Sequence, residues 1–106
     1  MNLANWHATS LKEEKFQTLH PTPGKTNKSI ARGKYEFIKE HIMAILSESE
    51  LSHTELMEKL YSRVKDNFDG GIQWYGEVVK LDPEARSVIE RTKSRPEKYK
   101  LKTTNR

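Results

Sequence analysis

Residues 74–101 read WYGEVVKLDPEARSVIERTKSRPEKYKL, and this stretch decides the fold. Its first half carries apolar residues in steps of four, three and four positions, which is the spacing of one helix face. These residues are Trp74, Val78, Leu81 and Ala85. The pattern predicts a helix over residues 72–86 with Trp74 on its buried side, because aromatic residues at helical spacing usually fill cores.

The second half of this stretch has the pattern of two strands. Residues 87–91 form a short extended run, and residues 93–97 form a polar turn. Residues 98–101 then alternate charged and apolar side chains at the period of a strand. We therefore expect a hairpin with strands near 88–93 and 97–102 and a basic tip.

Two more helices are predicted upstream. Residues 32–47 carry an apolar face at Tyr35, Ile38, Ile42 and Ile45. Residues 53–65 carry a second face at Leu56, Leu60 and Val64. Ser52 and Glu55 have the spacing of a capping box at the start of this second helix, and residues 48–51 read as a connector.

The end of the predicted third helix contains residues that disfavour a helix. Pro83 lacks a backbone donor and disfavours the helical conformation of the residue before it, so we expect a kink or break near Leu81. In the alternative, Asp82 caps a new turn that begins at Pro83. Ser87 stands where a glycine would commonly end the helix.

Three helices followed by a hairpin are the element order of a winged helix-turn-helix. We predict a mainly α fold with a small β-hairpin (α+β), in which the hairpin is the wing, over residues 20–106 with a basic C-terminal tail. Residues 1–19 are predicted to form an N-terminal arm. Residues 10–16 suit a short helix capped by Ser10. The arm either docks, pairs with another chain or is partly disordered.

Several short segments together have the pattern of a known family. They are Pro23-Gly24-Lys25, Lys34-Tyr35, the glycine-rich turn before Trp74-Tyr75, and residues 79–82, 84–86 and 89–91. On these segments, residues 20–101 resemble a family of small bacterial winged helix-turn-helix proteins of unknown function. The chain departs from the family pattern at Ala31, Pro83 and Ser87, where an acidic cap, an apolar residue and a glycine are usual. The resemblance implies mainly a fold, because no reaction is assigned to such proteins.

The composition limits the class of protein. A length of 106 residues suits one domain, and contents of 34% hydrophobic and 32% charged residues predict a small core. The absence of cysteine excludes disulfides and thiolate metal sites. No apolar run approaches the roughly 20 residues of a membrane span, and the N-terminus lacks the pattern of a signal peptide. We therefore expect a cytoplasmic protein without a membrane partner.

No pattern typical of an enzyme is present, so we expect no catalytic residue, metal or cofactor. The four histidines, His7, His20, His41 and His53, have no partners at metal-ligand spacing. Gly24-Lys25-Thr26 has the ending of a phosphate-binding loop, but Leu19 stands where that motif needs a glycine. The chain is also short for enclosing a large ligand cavity.

The positive charge lies at the two ends of the chain. Residues 1–35 carry a net charge of +4, residues 36–90 carry −6 and residues 91–106 carry +6. A winged helix binds DNA with its third helix in the major groove and its wing on the backbone or minor groove. The residues predicted to bind DNA are Gln73, Tyr75 and Lys80 on the helix and Arg91, Lys93, Arg95 and Lys98 on the wing.

Two partners remain open. Gln73 suits adenine, and Lys80 suits guanine or phosphate, so double-stranded DNA is the predicted partner, as for a small transcriptional regulator. However, the third helix also carries acidic residues, whereas DNA binding needs phosphate neutralisation. They are Glu77, Asp82 and Glu84. The alternative is therefore a winged-helix protein-interaction module or homodimer that does not bind DNA.

Overall fold

A computed structural model of the chain describes residues 14–102 and has three helices and two small antiparallel sheets. The helices are α1 (Arg32–Leu46), α2 (His53–Val64) and α3 (Ile72–Ala85). The strands are β1 (Lys15–Gln17), β2 (Ser29–Ala31), β3 (Leu51–Ser52), β4 (Ile89–Arg91) and β5 (Lys98–Leu101). The fold is mixed α+β, and the three predicted helices and the two predicted C-terminal strands are confirmed to within two residues at each end.

The capping box at the start of α2 is also confirmed. The Ser52 hydroxyl accepts the Glu55 N–H at 3.2 Å, and the Glu55 carboxylate accepts the Ser52 N–H at 3.0 Å. These two bonds satisfy donors that the first turn of a helix leaves free. In contrast, Ala31 gives α1 no side-chain cap.

The core lies where the three helices meet the C-terminal sheet. Its fully buried apolar side chains include Ile38, Ile42, Leu56, Leu60, Val64, Val79 and Ile89. Each such side chain contributes roughly 1.5–3 kcal/mol relative to an exposed position. The predicted apolar faces of α1 and α2 therefore form the core, as their spacing indicated.

The segment between α1 and α2 was predicted to be only a connector, but it contains a strand. Its last residue, Leu51, and the following Ser52 form β3, which pairs with β5 in the antiparallel register Leu51–Tyr99 and Ser52–Lys98. The C-terminal sheet therefore has three strands in the order β3-β5-β4. A two-residue strand is too short to show the alternation by which strands are recognised.

A second hairpin, which we call the N-terminal hairpin (residues 15–31), joins β1 and β2. The Phe16 ring packs 4.2 Å from the Tyr35 ring on α1, and Thr18 is buried. The helix predicted over residues 10–16 is therefore wrong at Lys15 and Phe16, and residues 10–13 lie outside the described part. Because β1 precedes His20, the hairpin spans the boundary that we placed after residue 19.

α3 buries a different face from the predicted one. The side that faces the core is formed by Ile72, Gly76, Val79 and Pro83, and Val78 is the one residue of the predicted face that is buried. Trp74 is 47% exposed to solvent, so the prediction that it lies in the core is wrong. A Cβ at Gly76 would lie only 2.7 Å from Met57 Sδ. The missing side chain therefore lets α3 approach α2 closely, which turns Trp74 outward.

The helix is not broken near Leu81, since α3 continues through Pro83 to Ala85. Pro83 lies in the last turn, where the loss of one backbone donor affects few other bonds. Arg86 is the C-cap, and the next residue, Ser87, has a φ of +66°. Ser87 N–H donates to the Glu84 carbonyl and Val88 N–H donates to the Pro83 carbonyl, which together form a Schellman motif without its usual glycine.

Candidate functional site

The surface that the sequence singles out is the solvent side of α3, which we call the outer face. It consists of Gln73, Trp74, Glu77, Leu81 and Ala85, all exposed or half-buried. Gln73 is exposed beside α2, in an open groove of about 440 Å³ that also contains His53, Met57 and Tyr61. Trp74 lies further round the helix, with its ring 4.9 Å from that of Tyr75.

Lys80 does not belong to the outer face, contrary to our prediction. Only 4% of its surface is exposed, and its Nζ lies 3.7 Å from the centroid of the Tyr99 ring. Among residues 14–102 it forms no ion pair, and burial lowers its pKa to about 8. Because Lys80 is the one cation of α3, the outer face carries no positive charge.

His53 at the start of α2 lies on the other side of this buried region. Its Nε2 is 3.6 Å from a Glu77 oxygen, and its ring packs edge-on to Tyr99. Burial and the nearby charge of Lys80 lower the pKa of His53, and Glu77 offsets part of that shift. The neutral form of His53 is therefore favoured.

Asp82 is a structural residue that the sequence did not reveal. It is 0% exposed, and its carboxylate accepts the Tyr35 hydroxyl at 2.5 Å, the Leu19 N–H at 2.8 Å and the Arg86 Nε–H at 2.9 Å. Burial, followed by the bond to Asp82, raises the pKa of Tyr35. The prediction that Asp82 adds negative charge to the surface of α3 is therefore wrong.

No sequence signal distinguishes Asp82 from a solvated acid, because an isolated carboxylate near a helix end is usually exposed. Its partners come from the N-terminal hairpin, α1 and the end of α3. Asp82 thus ties the N-terminal hairpin to α3, and the Asn27 side-chain amide adds a bond to the Val78 carbonyl at 3.0 Å.

The N-terminal hairpin leaves an open groove beside the C-terminal end of α3. The groove has a volume of about 460 Å³. It is lined by residues 17–20, residues 25–27 and Ala85. Leu19 on its rim is 41% exposed, and Lys25 is exposed. The N-terminal hairpin therefore covers part of the outer side of α3 and extends its surface.

The cations of the C-terminal hairpin (residues 89–101) differ in their surroundings. The Arg91 guanidinium pairs with Glu84 at 2.5 Å and with Glu97 at 3.3 Å, which fastens this hairpin to α3. Lys98 is half-buried. Within residues 14–102, neither Lys93 nor Arg95 in the exposed loop forms an ion pair.

The seven residues predicted to bind DNA thus do not form one surface. Gln73 lies in the α2–α3 groove, while Tyr75 is half-buried against Phe68 and Lys34 of the helical side. Lys80 and Arg91 are engaged with Tyr99. Of these seven residues, only Lys93 and Arg95 are exposed cations that form no ion pair within residues 14–102.

A family model matches residues 15–99, and its description is a family of unknown function, DUF6958. The chain belongs to this family. No curated protein matches the chain, and no solved structure matches it. The matched region contains all three helices and nearly all of both hairpins.

Metal sites and membrane-spanning helices are both absent from the described part of the chain. Residues 14–102 contain no cluster of three or more histidine, aspartate or glutamate side chains arranged to hold a metal ion. None of the helices in this region is long and apolar enough to cross a membrane. The candidate site is therefore the outer face with the groove beside Ala85, together with the loop of the C-terminal hairpin.

Proposed function

We propose that this chain is a winged helix-turn-helix protein in which α3 occupies the position of the recognition helix and the C-terminal hairpin is the wing. The order of α1, α2, α3 and the hairpin supports this assignment. The short β3 strand between α1 and α2 adds a third strand to the wing. Arg91 holds the wing against α3 through Glu84.

We propose further that the module binds protein through the outer face of α3. The observation that carries this proposal is the burial of Lys80 beneath Tyr99. A helix that enters the major groove must lie between two phosphate backbones, and cations provide the affinity for them. Without Lys80, the outer face offers Glu77 to these phosphates and no compensating charge.

Trp74 supports the same proposal. Among residues 14–102 it is one of four large apolar side chains that remain exposed, and it lies on the element that winged helices use for recognition. Tryptophan is enriched among the side chains that dominate protein interfaces. The outer face thus combines an aromatic anchor with a small number of polar neighbours, as a protein interface does.

Duplex binding with variants of α3 tests this proposal. If the outer face does not read DNA, Gln73→Ala leaves the ranking of labelled duplexes of different sequence unchanged. Glu77→Gln also leaves their affinity unchanged, although it removes a negative charge that would repel phosphates. A changed ranking with Gln73→Ala, or clearly tighter binding with Glu77→Gln, would overturn the proposal.

A second candidate function is sequence-independent binding of duplex DNA through the loop of the wing. Lys93 and Arg95 favour it, because they are exposed and form no ion pair within the described part of the chain, and phosphate contacts require available cations. This candidate needs no contact from α3. Its salt dependence separates it from groove reading, as phosphate contacts position a protein and base contacts give specificity.

A further inference from the structure

α3 has two apolar faces on opposite sides of the helix. Ile72, Gly76, Val79 and Pro83 form the face in the core. Trp74, Leu81 and Ala85 lie on the opposite side and are exposed or half-buried, whereas Val78 beside them is buried in the core. The Asn27 side chain of the N-terminal hairpin bonds to the Val78 carbonyl, but Trp74 and Leu19 stay 47% and 41% exposed. A helix that is apolar on both sides is normally covered on both sides.

We propose that the outer face of α3 pairs with the same face of a second copy of this chain, with the two α3 helices antiparallel about a twofold axis. Each Trp74 then enters the groove beside Ala85 of the other copy. This inference rests on the proposed function, for which it names the partner. Symmetric pairing of one patch with itself is the commonest form of homo-oligomer.

The shape of the surface fits an antiparallel arrangement. Trp74 lies in the first turn of α3 and Ala85 at its last residue, so reversing one helix brings Trp74 of one copy opposite Ala85 of the other. The groove at Ala85 has a volume of about 460 Å³ and carries the exposed Leu19 on its rim. An exposed indole and an open, partly apolar groove therefore occupy positions that the twofold axis exchanges.

The charges fit the same arrangement. The N-terminal half of the outer face carries Glu77, and residues 14–31 next to the C-terminal half carry Lys25. Antiparallel pairing places Glu77 of one copy near Lys25 of the other, twice in each dimer. Parallel pairing would instead bring like charges together, which disfavours that alternative.

Sedimentation velocity of the full chain over a concentration series tests the dimer. We expect wild-type protein to dimerise, and Trp74→Ser to raise the dimer dissociation constant by at least about tenfold, because a central tryptophan is a typical anchor. Tyr61→Ser is the matched control, since Tyr61 is 55% exposed but lies on α2 outside the outer face. Far-UV circular dichroism shows that each variant is folded.

A charge exchange tests the orientation. Glu77→Lys should weaken the dimer, and adding Lys25→Glu to it should restore most of the loss. A monomer at every concentration, or a dimer indifferent to Trp74→Ser and to the charge exchange, would overturn the inference. Neither result touches the proposed function, which fails instead when Gln73→Ala changes the ranking of duplexes.

Discussion

Lys80 is the residue at which burial and charge conflict most strongly. Its folded pKa of about 8 lies below the ordinary value of 10.5, so the unfolded chain binds more protons between these two values. Stability therefore rises with pH in this window, and the full penalty for the buried ammonium applies below pH 8. Lys80→Met should add roughly 2 kcal/mol at pH 7 and remove the rise toward pH 9.

Urea unfolding at pH 7 and pH 9 measures both effects. Lys100→Met is the matched control, because Lys100 is a lysine of the C-terminal hairpin with a partly exposed side chain and a surface partner, Glu90. A wild-type free energy of unfolding that does not increase between these pH values would contradict the assignment of Lys80. Both pH values lie below 10. Above that pH, stability falls because the folded state holds the Tyr35 and Tyr99 hydroxyl protons, whose pKa values are raised, more tightly than the unfolded chain does.

Ser87 shows a second conflict at the residue scale, between its side chain and its backbone angle. A φ of +66° costs a residue with a Cβ about 1 kcal/mol or more relative to glycine. Ser87→Gly should therefore raise the free energy of unfolding by about 1 kcal/mol in a thermal melt. Ser47→Gly provides the control, since Ser47 caps α1 with a φ of −70°, and that change should give no gain.

At the scale of elements, Gly76 sets the contact between α2 and α3. A Cβ at this position would lie 2.7 Å from Met57 Sδ and 2.9 Å from Leu60 Cδ2, and the Leu60 side chain is fully buried. Gly76→Ala should thus destabilise the protein by about 1–3 kcal/mol, as overpacking does. This loss should exceed the gain in helix propensity of roughly 1 kcal/mol.

Gly33→Ala measures the gain in helix propensity without the overpacking. Gly33 lies in α1, and a Cβ there would meet nothing within 4 Å. The change should therefore stabilise the protein by up to about 1 kcal/mol. Chemical denaturation of the two variants separates packing from propensity, and equal effects of the same sign would show that Gly76 does not govern the helix contact.

The same elements show what a sequence can and cannot predict. Helix bounds follow from local periodicity and caps, so α1, α2 and α3 were predictable to within one residue. The buried face of α3 was not, because residues 72, 76, 79 and 83 have the same spacing as residues 74, 78, 81 and 85. The choice depends on contacts with α2 and on the partners of Asp82, which come from distant parts of the chain.

At the scale of the whole molecule, the charge counted along the sequence overestimates the positive charge that the surface offers to a partner. The C-terminal block of positive charge is real, but Arg91 is neutralised by Glu84 and Glu97, and Lys100 lies beside Glu90. Lys80 is buried, so its charge does not reach the surface either. Such ion pairs join residues that are far apart in sequence or on different elements, so the sequence pattern alone does not predict them. The surface that remains basic is smaller than the sequence indicated.

This distribution predicts how the protein behaves toward DNA. Any duplex affinity of the wing should depend on Lys93 and Arg95, the two exposed cations in the loop of the C-terminal hairpin that form no ion pair among residues 14–102. Changing both to Gln should weaken binding to unrelated duplexes equally. Each lost contact should lower the slope of log affinity against log salt by about 0.9. Lys100→Gln should change the slope less, because Glu90 already offsets that charge.

A salt titration with labelled duplexes measures these slopes, and the outcomes separate the two candidate functions. If the slope in the double variant is lower than in the wild type by the amount expected for about two contacts, and no duplex sequence is preferred, the wing binds DNA nonspecifically. The outer face of α3 then remains available for a protein partner. No binding even at low salt, where phosphate attraction is strongest, removes the wing candidate altogether. An unchanged slope in the double variant would place the phosphate contacts elsewhere and contradict the assignment of the loop cations.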